Sequence, residues 1–176
     1  MSAAVHSFET SWNADGADWW EPIYRAFFVD YESHENVTAV AQQKAGIDHR
    51  VSLTGGGEVL VDVKTREKFR PDVLVEVWSS KQAGTPGWAR KSLHCHYVAY
   101  AFLDLPGFAY VIPFSMLRAA YEANKHKWAA DATCQTVTAV NRRYDTVSVA
   151  VPYERFLRDV AGAMQVYVNR DERPFE

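Results

Sequence analysis

Gly46-Ile47-Asp48-His49-Arg50-Val51-Ser52-Leu53-Thr54-Gly55-Gly56-Gly57-Glu58-Val59-Leu60-Val61-Asp62-Val63-Lys64 is the stretch that decides the fold. Ile47, His49, Val51 and Leu53 alternate with Asp48, Arg50 and Ser52, the period-2 pattern of a half-buried strand. After Thr54-Gly55-Gly56-Gly57, a turn signal, Val59, Val61 and Val63 alternate with Glu58, Leu60, Asp62 and Lys64. Two alternating runs joined by a glycine turn predict a β-hairpin. Asp72-Val73-Leu74-Val75-Glu76-Val77-Trp78 repeats the alternation and is expected as a third strand.

Upstream, Trp20, Ile23, Tyr24, Phe27 and Phe28 recur at helical spacing. Asp18 is the expected N-cap, with Glu21 three residues on and Pro22 in the first turn, so a helix is expected over 18–31. Glu32-Ser33-His34-Glu35-Asn36 reads as the following loop and Val37-Thr38-Ala39-Val40 as a short strand. Downstream, one or two helical turns are expected at Trp88–Ser92, and strands at Tyr97–Phe102, Ala109–Ile112 and Val147–Val151. Helices are expected from Pro113 to about Lys125 and from Pro152 to near Gly162. Strands and helices mixed in this order predict an α/β (α+β) domain, a sheet flanked by helices.

The chain has 176 residues, the length of one domain. It is expected to comprise a loose lead-in over 1–17, a core at about 18–114 and a helix-strand-helix extension over 115–176. Apolar residues make up 48% and charged residues 23%, enough for a packed core without staples. There is no apolar run long enough to span a membrane. The N-terminus lacks the basic and apolar regions of a signal peptide. Cys95 and Cys134 make no disulfide framework, and a cytoplasmic protein is expected. Residues 1–50 hold eight acids and three bases, the remainder 14 acids and 16 bases. An acidic first third therefore precedes a mildly basic body, and the net charge of −3 argues against an indiscriminate polyanion binder.

The polar faces of the strands carry the chemistry. Asp62 and Lys64, two apart, share one face; Asp48 stands on the polar face of the partner strand, and Glu76 on that of the next. Carboxylates so grouped suit Mg²⁺ or Mn²⁺. A bound cation acidifies water and neutralises a phosphate, and a lysine beside it stabilises developing charge. Asp-x-Lys alone has no specificity: a half-exposed hairpin with a charged outer face produces the same triplet.

The combination is more specific. Gln43-Lys44-Ala45-Gly46-Ile47-Asp48, the glycine turn, Val61-Asp62-Val63-Lys64, Leu74-Val75-Glu76-Val77-Trp78-Ser79 and Thr85-Pro86-Gly87-Trp88 together resemble the PD-(D/E)XK nuclease superfamily. Within it, they resemble small nuclease-like proteins of phages and prophages. The resemblance covers about 18–114, with a weaker echo in Arg143-Tyr144-Asp145-Thr146 and Val149-Ala150-Val151-Pro152. It implies a restriction-endonuclease-like fold with a mixed central sheet, and hydrolysis of phosphodiester bonds, in DNA first. By position it assigns Asp48 and Asp62 to the metal (Mg or Mn) and Lys64 to the attacking water. Glu21 is the first choice for a further helix acid, with Glu32 and Glu35 as fallbacks. Glu76 is a further acid or a structural partner for Lys64. Ile47 replaces the motif's proline, and Asp62 replaces the more frequent glutamate.

On this reading Asp62 is an unpaired acid, so Asp62→Ala abolishes cleavage at little loss of stability. Arg66, Lys68 and Arg70 follow the active strand, where a phosphate backbone would pass. Trp78 and Trp88 suit stacking on an unpaired base, or the core. His94-Cys95-His96 lacks the spacing of a zinc set, and burial of Cys95 is expected instead. Partners implied are nucleic acid, a second copy of the chain and, for a phage-encoded protein in a host cytoplasm, a host or phage protein. The chief rival is a catalytically silent protein on the same scaffold that binds a nucleic acid or a host protein.

Overall fold

The computed structural model describes residues 18–140 and 144–168. In chain order the elements are α1 (Trp20–Phe27), β1 (Tyr31–Asn36), α2 (Val40–Lys44), β2 (His49–Leu53), β3 (Gly57–Arg66), β4 (Asp72–Ser80) and β5 (Thr85–Pro86). They continue as β6 (Tyr97–Phe102), β7 (Phe108–Pro113), α3 (Phe114–Ala130), β8 (Gln135–Val140), β9 (Asp145–Pro152), α4 (Tyr153–Asp159) and β10 (Met164–Tyr167). The class is mixed α+β, as expected. Two compact units emerge, one from residues 18–69, 94–114 and 163–168, the other from residues 70–93, 115–140 and 144–162.

The first unit holds a six-stranded sheet in the order β1-β2-β3-β6-β7-β10. Its β3–β6 ladder is parallel and the others antiparallel, so the sheet is mixed. The expected hairpin is β2–β3, with His49 opposite Val61 and Val51 opposite Val59. Gly55 and Gly56 take φ of +92° and +86° in the turn, a region other residues enter only with strain. Trp20, Ile23 and Tyr24 of α1 are fully buried and pack with Val51, Val61, Val63, Ala99, Ala101 and Val111 on one face of the sheet. The opposite face carries Val98, Tyr100, Phe102, Phe108, Tyr110 and Ile112, also buried.

The second unit holds a four-stranded antiparallel sheet in the order β5-β4-β9-β8. Helix α3, past its first residue, and α4 belong to this unit. Trp128 and Phe156 are fully buried here, and Trp128 Nε1 donates to Asp159 at 2.7 Å. No helix among the described residues is long and apolar enough to cross a membrane.

Several expectations need correction. Helix α1 starts after Trp19, which caps it without a side-chain bond, and stops at Phe27 because Phe28 is extended. Residues 32–36 form strand β1 instead of a loop, and 37–40 lead into helix α2 instead of a strand. At Trp88–Ser92 a single turn over Trp88–Arg90 forms, closed by the Lys91 N–H donating to Gly87 O at 3.0 Å, and Ser92 lies beyond it. The strand bearing Glu76 does not extend the hairpin's sheet: β6 pairs with β3, and β4 founds the second sheet.

Candidate active site

The register of the hairpin brings the first acid to the second. Asp48 donates its backbone N–H to Val61 O at 2.9 Å, and its Oδ2 accepts the Val63 N–H at 2.8 Å. Asp48 thus sits across from Asp62 on the neighbouring strand. Asp62 stands beside Val98 and Lys64 beside Tyr100 in the parallel ladder. Cross-strand partners share a face, so an acid and a lysine project on the aromatic side of the sheet.

Asp62 is 2% exposed. Lys64 Nζ lies 2.8 Å from both of its oxygens and donates to Oδ1 and, at 3.2 Å, to Val63 O. Although Oδ2 lies equally near the ammonium, it makes no hydrogen bond among the described residues. The expectation that Asp62 is unpaired is therefore corrected, and with it the expectation that Asp62→Ala costs little stability. A buried carboxylate with both oxygens at ion-pair distance from one ammonium still offers lone pairs that a hard divalent cation can take.

Two carboxylates from adjacent strands fit Mg²⁺ or Mn²⁺, which commonly take one or two protein carboxylates and fill the remaining positions with water and phosphate oxygens. No group of three or more His, Cys, Asp or Glu side chains that could hold a metal occurs among the described residues. Glu21 lies on α1, exposed, in an ion pair with Arg25 at 2.7 Å. Glu32 and Glu35 lie exposed on β1. Glu76 lies in the second unit, where its Oε1 accepts from Ser79 Oγ at 2.5 Å and from the Trp88 N–H at 3.3 Å.

Arg66, partly exposed, ends β3, and Lys68 is exposed just beyond; the exposed Arg70 begins the second unit. Trp88 is 6% exposed and belongs to the core, whereas Trp78 is partly exposed.

Sequence reasoning did not connect Cys95 with the acids. His94 and His96 donate their backbone N–H groups to Ala45 O and Leu60 O, and His96 Nδ1 accepts the Leu60 N–H. Cys95, held between them, is 7% exposed. Burial, followed by the negative charge of Asp62, pushes its thiol up to about 12; Lys64 opposes this and Asp48 adds to it. No spacing in the sequence signals this proximity, which arises from the β3–β6 crossover.

Beneath α1, the hydroxyl of Tyr24 and Nδ1 of the fully buried His49 are hydrogen-bonded at 2.6 Å, and Tyr31 Oη and His34 Nδ1 at 2.9 Å. Burial lowers the pKa of His34. Tyr24 thereby anchors the residue that follows Asp48.

No protein-family profile matches the chain, and no curated protein matches it either. A solved restriction endonuclease in complex with substrate DNA is similar to it, at 13% identity and a TM-score of 0.42, over 97% of this chain and 76% of that one.

Proposed function

We propose that the protein is a metal-dependent nuclease that hydrolyses phosphodiester bonds in DNA. The observation that carries this reading is Asp62: a carboxylate buried at the middle of a sheet, held by Lys64, with Asp48 just before the neighbouring strand β2. Burying an acid in this way penalises the fold by several kcal/mol unless partners compensate, on the order expected for ions in protein interiors. The resemblance of the Gly46-Ile47-Asp48 and Val61-Asp62-Val63-Lys64 segments to nuclease motifs points the same way.

Asp48 and Asp62 would hold Mg²⁺ or Mn²⁺, which supplies charge neutralisation at the phosphate and an acidified water. Asp62 also orients Lys64 through their hydrogen bond. Lys64 holds a proton at Nζ, where it stabilises negative charge developing on the phosphoryl oxygens and orients the attacking water. Arg66 and Lys68 would take backbone phosphates. Glu21 and Glu76 are not needed in this scheme.

A second reading is a silent scaffold that binds nucleic acid. It draws on the absence of a third metal-binding acid among the described residues. The deciding experiment incubates the protein with supercoiled, linear, single-stranded and branched DNA and with RNA, each with Mg²⁺, Mn²⁺ or EDTA. Asp62→Asn serves as the contamination control. Metal-dependent cutting of DNA that the variant lacks is the expected result. Cutting by both proteins, or by neither on any substrate, overturns the nuclease assignment.

A further inference from the structure

The two units differ in charge. Among the described residues, 70–93, 115–140 and 144–162 carry nine Lys/Arg against seven Asp/Glu, while 18–69, 94–114 and 163–168 carry six against ten. The unit without the acidic cluster is the basic one. Within it, a recess of about 200 Å³ is lined by Trp78 and Val147 of the sheet and by Tyr121, Lys125 and Trp128 of α3. The guanidinium of Arg90, itself exposed, lies 3.9 Å from the centre of the Trp78 ring. Three cations gather here around one acid: Glu122 is held below the usual carboxylate range by its hydrogen bond from Lys125, assisted by the charges of Lys125, Arg118 and Arg90. In the lining the cation is Lys125, ion-paired with Glu122 at 2.5 Å, and Arg90 covers one face of the Trp78 ring; an indole flanked by two cations complements a planar heteroaromatic ring that carries a phosphate.

We infer that this recess seats one unpaired nucleotide of a single strand, with its base against Trp78 and its phosphate at Arg90 and Lys125. The ligand class rests on the nuclease reading, but the contacts lie wholly within the second unit and involve neither Asp48, Asp62 nor Lys64. The seat would favour single-stranded or locally opened nucleic acid over a closed duplex, because a paired base cannot present its face.

The test measures anisotropy of a fluorescent oligo(dT) and of a blunt duplex in EDTA, where no cutting occurs. Trp78→Leu should weaken oligo(dT) binding about tenfold, the usual effect of losing one base–aromatic stack, while changing duplex binding less than about twofold. Arg90→Gln, at an exposed position, should weaken oligo(dT) binding and flatten its salt dependence by about one phosphate contact. No binding by the wild type, unchanged binding in Trp78→Leu and Arg90→Gln, or equal losses on both substrates would each overturn the inference. A wild type that binds oligo(dT) through Trp78 but never cuts would leave the seat standing and remove the nuclease reading.

Discussion

Lys64 Nζ lies 2.8 Å from each oxygen of Asp62, a side chain almost wholly withdrawn from solvent. The ammonium and a divalent cation therefore compete for one carboxylate. Lys64→Met should bind Mn²⁺ at least about threefold more tightly by calorimetry, since the ammonium charge no longer opposes a cation at the same carboxylate, while any cleavage is lost. The same variant should lose about 2 kcal/mol or more in metal-free denaturant unfolding, because it strands a buried acid; the partial exposure of Lys64 keeps the loss below that of a fully buried pair. Weaker Mn²⁺ binding in the variant would refute the competition.

Cys95 makes stability depend on alkaline pH. Its folded pKa, about 12, lies above the ordinary 9.0, so the native state holds a proton that the unfolded chain releases in between. The stabilisation is complete below pH 9 and is lost as pH rises toward 12, by at most about 1.4 kcal/mol per pH unit. Unfolding free energies of the wild type and Cys95→Ala, measured from pH 8 to 11, should converge across that window. Parallel curves would show that the thiol is not responsible.

Glu76 and Gly87 form a structural clasp. A Cβ on Gly87 would lie 2.3 Å from the Glu76 carbonyl oxygen and 2.5 Å from its carbon. Both are backbone atoms, so Gly87→Ala should cost about 3 kcal/mol or more, read as a lowered unfolding midpoint. Glu76→Gln keeps an oxygen for the Ser79 hydroxyl and the Trp88 N–H, and its cleavage rate should stay within about twofold of the wild type. A large loss of rate would return Glu76 to the catalytic set.

Tyr24→Phe removes one partner of a fully buried histidine. A destabilisation of about 1–3 kcal/mol is expected from the unmatched polar group, with packing unchanged. If Tyr24 also fixes the strand bearing Asp48, Mn²⁺ affinity should fall with it. Unchanged affinity at reduced stability would confine Tyr24 to the core.

The hairpin was legible because both strands bury one face and expose or polarise the other. Its register then put Asp48 opposite Asp62 without further information. Strand β1 was not legible: of Tyr31–Asn36 the tyrosine alone is buried, so no alternation marks it. β8 is exposed along its whole length and equally silent. Val37–Val40 has β-branched residues, yet Val40, 61% exposed, opens a helix. Adjacent strands usually pair, and this favoured β4 as the neighbour of β3. The parallel β6 takes that place, so β4 pairs in the other sheet and Cys95, just before β6, comes near Asp62.

That crossover matters while the chain is being made. β3 is complete at Arg66, but its neighbour β6 begins only at Tyr97, and β10 closes the sheet after the second unit has been synthesised. On the ribosome, β3 therefore waits with one hydrogen-bonding edge open to other nascent chains. Charged side chains that point inward are a recognised guard against such pairing. Asp62 and Lys64 occupy the middle of that waiting strand. Replacing both by apolar residues would cure the buried charge in the finished molecule and, during translation, expose an apolar strand to aggregation.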